Sequence, residues 1–571
     1  MSELSKALKL LDKKEKSKIY ILLLIMIILS FLEFFSLGGI LIFLNYFILG
    51  GFQENIAGIL SKLDSNIFSE TNLVFVSIVI ILIFLLKNTL TIFNVFFSTN
   101  VLNSIRINIS RKLYKGYLTE DIIGLQKRNL STYLRNIVNE GHVFTLYLKE
   151  YINFVLQFLT LFFILVLSLL YNFKISLFIF LFLGLLFVFY FKYFKKTLTL
   201  YGEKRANISK SLLNLVNQTF LSIREIKIYN LENKFIDEFV KENTDLKRIS
   251  ARRSVIGNFP KVFWELLLVS GVFLSMIYFV SIGKNMNETI GLFSTYVIIA
   301  IRLIPSFSQL GQSKNSLAYA KSSINIFYDN EVYIKNNNKK LEILETKKED
   351  FKINELKIND LSFSFKGINK KIFDTTNLKL NKGDFVCIYG ENGTGKTTFF
   401  DIITGLIKPD SLNLHINDVK INDLKNHINF SYIAQNSFIF DDTLENNILL
   451  NKNKNLENIN TNKIIKISDL TNLINSLPEK EKTIIGENGI QLSGGEKQKI
   501  SIARALYNNP KLLLTDEFTN AIDEKSEIKI LNELKEYKEL DISIMISHNR
   551  NLEHMFNKVY ELKNQKFERV K

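Results

Sequence analysis

Six stretches of this chain are long and apolar enough to fill the hydrocarbon core of a bilayer: Ile19–Leu49, Leu73–Phe97, Leu146–Tyr171, Ile175–Phe194, Val262–Val280, and Ile290–Pro305 with its continuation. A helix rises about 1.5 Å per residue and needs about 20 such residues to cross. Lipid offers no partner to an open backbone, so segments of this kind can cross only as helices. The last stretch is interrupted by Arg302 and Pro305. Six spans return both ends of the region to one side of the membrane. The first stretch is too long for the core of a cleavable signal and has no small-residue cleavage site behind it, so it reads as a retained span. The 48 Phe and 47% hydrophobic content among 571 residues belong to the same picture.

Charge orients the spans. Lys6, Lys9, Lys13, Lys14, Lys16 and Lys18 precede the first, and Arg106, Arg111, Lys112, Lys115, Lys127, Arg128 and Arg135 lie between the second and third. The segment 50–72 carries only Lys62 against Glu54, Asp64 and Glu70. Cytoplasmic loops hold the excess of Lys and Arg, so the N-terminus and everything after the last span are expected in the cytoplasm. The formal charge of +16 is accounted for by this bias and by anionic lipid, and nucleic acid is not an expected partner. The single cysteine, Cys387, excludes internal disulfides and cysteine-rich zinc clusters.

Two loops, about 98–145 and 195–255, are helical in pattern and too long for turns. The expected organisation is an all-α six-helix transmembrane domain over 1–328, a polar linker over 329–350, and an α/β nucleotide-binding domain over 351–571, where short strands and helices alternate.

The chemistry is concentrated in that last domain. The run GENGTGKTT follows the apolar strand candidate Phe385–Tyr389 and opens a helix. Gly390, Glu391, Asn392, Gly393, Thr394, Gly395, Lys396, Thr397 and Thr398 thus form a phosphate-binding loop. Glycines let backbone N–H groups turn around a polyphosphate, Lys396 can reach the outer phosphates, and Thr397 can hold Mg²⁺. Further on, KLLLTDE ends a strand in two carboxylates: Asp516 suits the Mg²⁺ shell and Glu517 the polarisation of an attacking water. Ser493, Gly494 and Gly495 of LSGGEKQ open another helix, whose unpaired N–H groups offer a second phosphate-binding surface.

In this order the motifs resemble those of the ATP-binding cassette (ABC) ATPases, over about 220 residues of the chain. The resemblance implies that Phe365 stacks on adenine, that Gln435 touches Mg²⁺ and senses the membrane domain, and that the loop from Asn520 to Asp523 reaches a partner cassette. It also implies that His548 is the switch histidine near the γ-phosphate. Three departures stand out: Phe at 365 where Tyr is commoner, Glu at 496 for Gln, and NAID at 520–523 for SALD. None removes a catalytic atom. Spans fused ahead of one cassette resemble an exporter-type half-transporter, with ATP and Mg²⁺ as cofactors. Because Ser493 must complete the site of another cassette, the expected working unit is a homodimer in a bacterial cytoplasmic membrane.

The cargo is read from the membrane half. Glu33, Lys87, Lys261, Glu265 and Arg302 lie in or beside predicted spans, where ionisable groups are costly and either paired or functional. Glu33, Lys87, Glu265 and Arg302 fall roughly 18–24 Å from the external ends. Pairing of Glu33 with Lys87 and of Glu265 with Arg302 is one reading. The stretches FLEFFSLGGILIFLNYF, NFPKVFWE and AIRLIPS resemble the PglK-type flippases of lipid-linked oligosaccharides. That resemblance implies that Lys87, Lys261 and Arg302 meet a diphosphate headgroup. It also implies a short external helix, for which Gln53–Leu63 has the amphipathic spacing, against a polyprenyl tail. Competing readings are a peptide or toxin exporter, although no peptidase-like stretch precedes the first span, a general lipid or drug exporter, and an ATP-gated channel or regulator, which would not need Glu517.

Overall fold

The computed structural model describes residues 3–49, 70–126, 128–171, 173–281, 286–338, 352–365, 371–450, 461–486 and 490–571. The chain divides into two compact units, Met1–Glu120 with Gly124–Lys340, and Asp121–Ile123 with Leu341–Lys571. The external helix expected over Gln53–Leu63 lies outside the described residues.

The first unit is helical. Among the described residues, a short helix α1 (Glu3–Leu10) precedes six long ones: α2 (Lys13–Leu49), α3 (Glu70–Leu118), α4 (Gly141–Tyr171), α5 (Phe173–Leu221), α6 (Glu232–Ser281) and α7 (Met286–Asn338). Among the described residues, four segments are long and apolar enough to cross a membrane: Lys13–Leu41, Val74–Leu118, Leu130–Leu170 and Phe293–Ile334. The remaining two predicted spans fall on α5 and α6. Leu82, Leu85, Leu86 and Phe96 of α3 are exposed, as a helix apolar on all sides requires when lipid is its solvent. Pro260 and Pro305 sit inside α6 and α7, a position that membrane helices tolerate.

Two cores hold these helices. One gathers Leu37, Leu161, Trp264, Leu268, Leu303 and Phe307. The other joins Ala7 and Leu10 of α1 to Met26, Ile105, Phe144 and Phe327. The regions read as long helical loops are helical over most of their described residues: α3 continues to Leu118, short helices cover Ile122–Gln126 and Leu130–Leu134, a π-helical turn covers Arg135–Glu140, and α5 and α6 meet across Ile223–Ile228. Here Glu140, fully buried, takes Arg205 at 2.8 Å and the Ser323 hydroxyl, which ties α5 and α7 to the turn before α4. The first ten residues of the stretch read as a linker, up to Asn338, continue α7.

The second unit carries two main sheets. Strands β1 (Glu355–Ser364), β2 (Lys371–Asn381), β4 (Ser411–Ile416) and β5 (Val419–Ile421) form an antiparallel sheet in the order β2-β1-β4-β5. The other contains β3 (Phe385–Tyr389), β6 (Phe430–Ile433), β9 (Leu512–Asp516), β10 (Ile542–Ile546), β11 (Lys558–Lys563) and β12 (Lys566–Arg569), in the order β12-β11-β3-β10-β9-β6. The two-residue strands β7 (Asp442–Thr443) and β8 (Ile484–Ile485) pair apart from both. FVCIY, LLLTD and ISIMI are buried at every position, as continuous apolar runs must be in a parallel sheet covered on both faces. Cys387 packs in that core.

Candidate functional site

The carboxyl ends of four parallel strands converge, which is where open α/β sheets place their ligands. β3 delivers the glycine-rich loop, β9 delivers Asp516 and Glu517, β10 leads to His548, and β6 to Gln435. Gly393 and Gly395 have φ of 80° and 106°, values that a residue with a Cβ rarely adopts. A Cβ on Gly395 would also lie 2.3 Å from the Ile372 side chain, so the tight turn into the helix Lys396–Ile403 needs glycine there.

Within the loop, the Lys396 ammonium donates to the carbonyls of Gly390 at 2.8 Å and Glu391 at 3.0 Å. Burial lowers its pKa, opposed by the Glu517 and Asp516 carboxylates. The Thr397 hydroxyl donates to Asp516 Oδ2 at 2.7 Å. Burial raises the Asp516 carboxyl, and the Glu517 charge adds to the rise while Thr397 and Lys396 oppose it. Thr397 and Asp516 present hard oxygen donors side by side, a set that suits Mg²⁺ completed by phosphate oxygens and water.

Glu517 is the most tightly held side chain of the group. Gln435 Nε2 donates to its Oε2 at 2.7 Å and Asn520 Nδ2 to the same atom at 3.1 Å, while His548 Nε2 lies 2.6 Å from Oε1. Its backbone is left-handed, with φ of 45°. The loop lysine, the two carboxylates, the glutamine and the histidine of the sequence analysis therefore share one cluster.

Ser493 caps the helix Gly494–Tyr507. Its hydroxyl accepts from Glu496 N at 3.3 Å, and its own N–H donates to the Glu496 carboxylate at 2.7 Å, a reciprocal capping box. Glu at 496 thus has a structural use. Gly494 and Gly495 lie against Ala521, where a Cβ on Gly495 would come within 2.8 Å of the Ala521 carbonyl oxygen. Asp523 caps the helix Glu524–Lys535 by accepting from Ser526 N at 2.9 Å. Phe365 is half-buried, edge-on to Phe363 with centroids 4.9 Å apart. Among the described residues, no hydrogen bond joins Ser493, Gly494 or Gly495 to the Lys396 cluster.

The first unit holds a second site, a cavity of about 490 Å³ lined by residues of α2, α3, α4 and α7. Glu33 receives both cations there: Lys87 at 2.5 Å and Arg302 at 3.4 Å. Pairing of Glu33 with Lys87 is found. Arg302, however, reaches Glu33 rather than Glu265, because its side chain faces α2 into the cavity while Glu265 is exposed on α6. Lys261 is exposed too and is not among the residues lining this cavity.

Sequence reasoning missed three contributors. Asp401, one helical turn beyond Thr397, is pushed up to about 6 by burial and by the Asp516 charge. Tyr432 places its hydroxyl 3.5 Å from Asp516 Oδ2, a contact that its place on β6, three residues before Gln435, could have suggested. Lys149 also lines the cavity, although it lies outside any charge layer that counting along the spans would find.

Two family models match the chain: the ABC transporter over residues 373–520 and the ABC transporter transmembrane region over 23–304. A putative export ATP-binding/permease protein of Rickettsia typhi is 28% identical over 492 residues, covering 82% of this chain and 81% of that one. An ATP-dependent lipid A-core flippase of Wigglesworthia glossinidia brevipalpis is 26% identical over 345 residues, or 58% of this chain and 57% of its own. The fold matches a bacterial Atm1-family ABC exporter with ATP bound, at a TM-score of 0.77 and 17% identity over 97% of this chain and 95% of that one.

Proposed function

The chain is an ABC exporter half-transporter, a multi-pass membrane protein whose cytoplasmic ATPase is coupled to transport, and from that premise we propose that it flips a polyprenyl diphosphate-linked oligosaccharide as a homodimer. The observation that carries the cargo reading is the convergence of Lys87 and Arg302 on one Glu33 at a cavity wall inside the spans. Two cations against one carboxylate leave a net positive charge, which a diphosphate could use to leave water at acceptable cost. Relatives named lipid A-core flippases add support for a lipid cargo. They also favour a second reading, a different phosphate-bearing glycolipid in the same cavity.

In the proposed ATPase cycle Lys396 leaves the loop carbonyls for the outer phosphates, and the loop N–H groups hold the rest of the chain of phosphates. Phe365 offers a ring face to adenine. Thr397, Asp516 and Gln435 would hold Mg²⁺, which when bound neutralises charge on the phosphates. Glu517 takes the proton of the attacking water, and His548 orients Glu517 and the departing phosphate. Nucleotide closes two cassettes on each other and hydrolysis reopens them, and this movement drives alternating access of the spans.

Reconstitution in vesicles with a fluorescent polyprenyl diphosphate oligosaccharide tests the cargo. ATP-dependent flipping is expected for the parent, with at least about a tenfold loss for Lys87→Gln combined with Arg302→Gln. A charge exchange, Glu33→Lys with Lys87→Glu, keeps a pair but moves the cation. Full flipping by the double neutral variant, with the exchange also active, would make the charges mere braces and overturn the headgroup reading.

A further inference from the structure

We propose that the wall of the membrane cavity beyond the charged cluster is a hydrogen-bonding surface for sugar hydroxyls, with the Asn94 amide as its principal contact. The inference rests on the cargo reading above and assigns the part of the cargo that the cations leave unaddressed.

The pattern begins on α3. Lys87, Thr91, Asn94 and Ser98 recur at three- and four-residue steps, so they share one face, and all four line the cavity. Asn153 on α4 and Gln309 on α7 line it as well. A face of a membrane helix turned to lipid would be apolar; this one is amide and hydroxyl. Gln157 of α4 donates to Gln309 Oε1 at 2.7 Å, so part of the surface is already braced.

Asn94 is different. It is only 7% exposed, and among the described residues its Oδ1 has no hydrogen-bond partner. A buried acceptor left in that state is costly, and a leucine of similar size would avoid the cost. The missing partner is a donor. A diphosphate at neutral pH offers acceptors almost alone, whereas a sugar offers hydroxyl donors and an N-acetylated sugar an N–H as well. Lys87 and Asn94 are seven residues apart, about 10 Å along the helix, which leaves room for sugar rings attached to a phosphate held at the cluster. The chain direction puts Asn94 on the cytoplasmic side of Lys87, where a headgroup entering from the cytoplasm would be received.

Three probes separate this proposal from the reading it rests on: a polyprenyl diphosphate bearing a trisaccharide, the same lipid without sugar, and an uncharged diglucosyl diacylglycerol. Binding of each to the full-length protein in nanodiscs is measured for the parent, Asn94→Leu and Gln309→Leu. Gln309 is exposed, so its variant is expected to fold even if a buried leucine at 94 does not. Both variants are expected to bind the two sugar-bearing probes about tenfold more weakly and the bare diphosphate lipid as the parent does. Unchanged affinity of both variants for the sugar-bearing probes would overturn the proposal and leave the amide wall a wetted structural surface. If the diphosphate added nothing over the uncharged glycolipid in the parent, the cargo reading would fall while the sugar wall stood.

Discussion

Glu517 shows how a single residue's chemistry depends on its pose. Three neighbours, Gln435, Asn520 and His548, hold its carboxylate, and its φ of 45° stores about 1–3 kcal/mol that the surrounding strands must offset. Glu517→Gln keeps shape and removes the proposed base. Hydrolysis is expected to fall by about 100-fold or more while ATP still binds and accumulates in a closed dimer, as measured by phosphate release and retained labelled nucleotide. Release at the parental rate would sink the assignment. Asp401 gives a test by pH. Its folded pKa, about 6, lies above the ordinary 3.8, so the folded chain holds this proton more tightly than the unfolded one. Its contribution to stability is therefore full below about 3.8, is lost as pH rises through 6, and is a cost at neutrality. Discounted for partial solvent exposure, that cost is about 1 kcal/mol. Asp401→Asn should raise the thermal midpoint of the full-length protein at pH 7.5 and raise it less at pH 5; an equal gain at both would contradict the titration. The places of Lys396, Asp516 and His548 were legible in the sequence because Asp516 ends a buried strand and the other two follow one by a short turn. The pose of Glu517 and the environment of Asp401 were not, since both depend on strands distant in sequence.

At the scale of elements, the first unit depends on how closely its helices approach. A Cβ on Gly202 of α5 would lie 2.1 Å from the Tyr319 carbonyl oxygen of α7, a backbone atom that cannot swing aside, whereas one on Gly257 of α6 would meet nothing within 4 Å among the described residues. Gly202→Ala is expected to lower the melting point of the solubilised protein by the equivalent of about 1–3 kcal/mol, and Gly257→Ala to leave it level or slightly higher. Equal effects would mean that the close approach is not needed. The long apolar runs made the helices legible, and the continuous apolar strands made the parallel sheet legible, because burial on every side writes itself directly into composition. Pairing between elements was less so. Depth along each span put Glu33, Lys87, Glu265 and Arg302 in one layer, but depth says nothing of rotation about the helix axis, and it is rotation that turns Arg302 to Glu33. Helix boundaries in polar sequence carried little signal either: the stretch after Asp329 lacks apolar periodicity yet continues α7 to Asn338.

For the whole molecule, the question is what completes each nucleotide site. Lys396, Asp516, Glu517 and His548 form one cluster, whereas Ser493 is engaged with Glu496 in its own capping box. Its helix start has a positive end, and beside the capped Ser493 and Glu496 the Gly494 and Gly495 N–H groups have no intrahelical acceptor by helix geometry, so it is a surface for an anion held elsewhere. The simplest arrangement brings that surface to the phosphates bound by another copy's loop, so that two copies make two shared sites. Mixing differently tagged Lys396→Ala and Ser493→Arg chains separates this from a self-contained site. In a mixed dimer with shared sites, both lesions fall in one site and the other stays whole; in a self-contained scheme every site carries one lesion. Each variant alone should fail to trap nucleotide. Mixed dimers purified through both tags should trap about one nucleotide per dimer, if a site needs both surfaces to close. Mixed dimers with both chains folded and no trapping would show that Ser493 serves its own chain, and the homodimer would then have to rest on the spans alone.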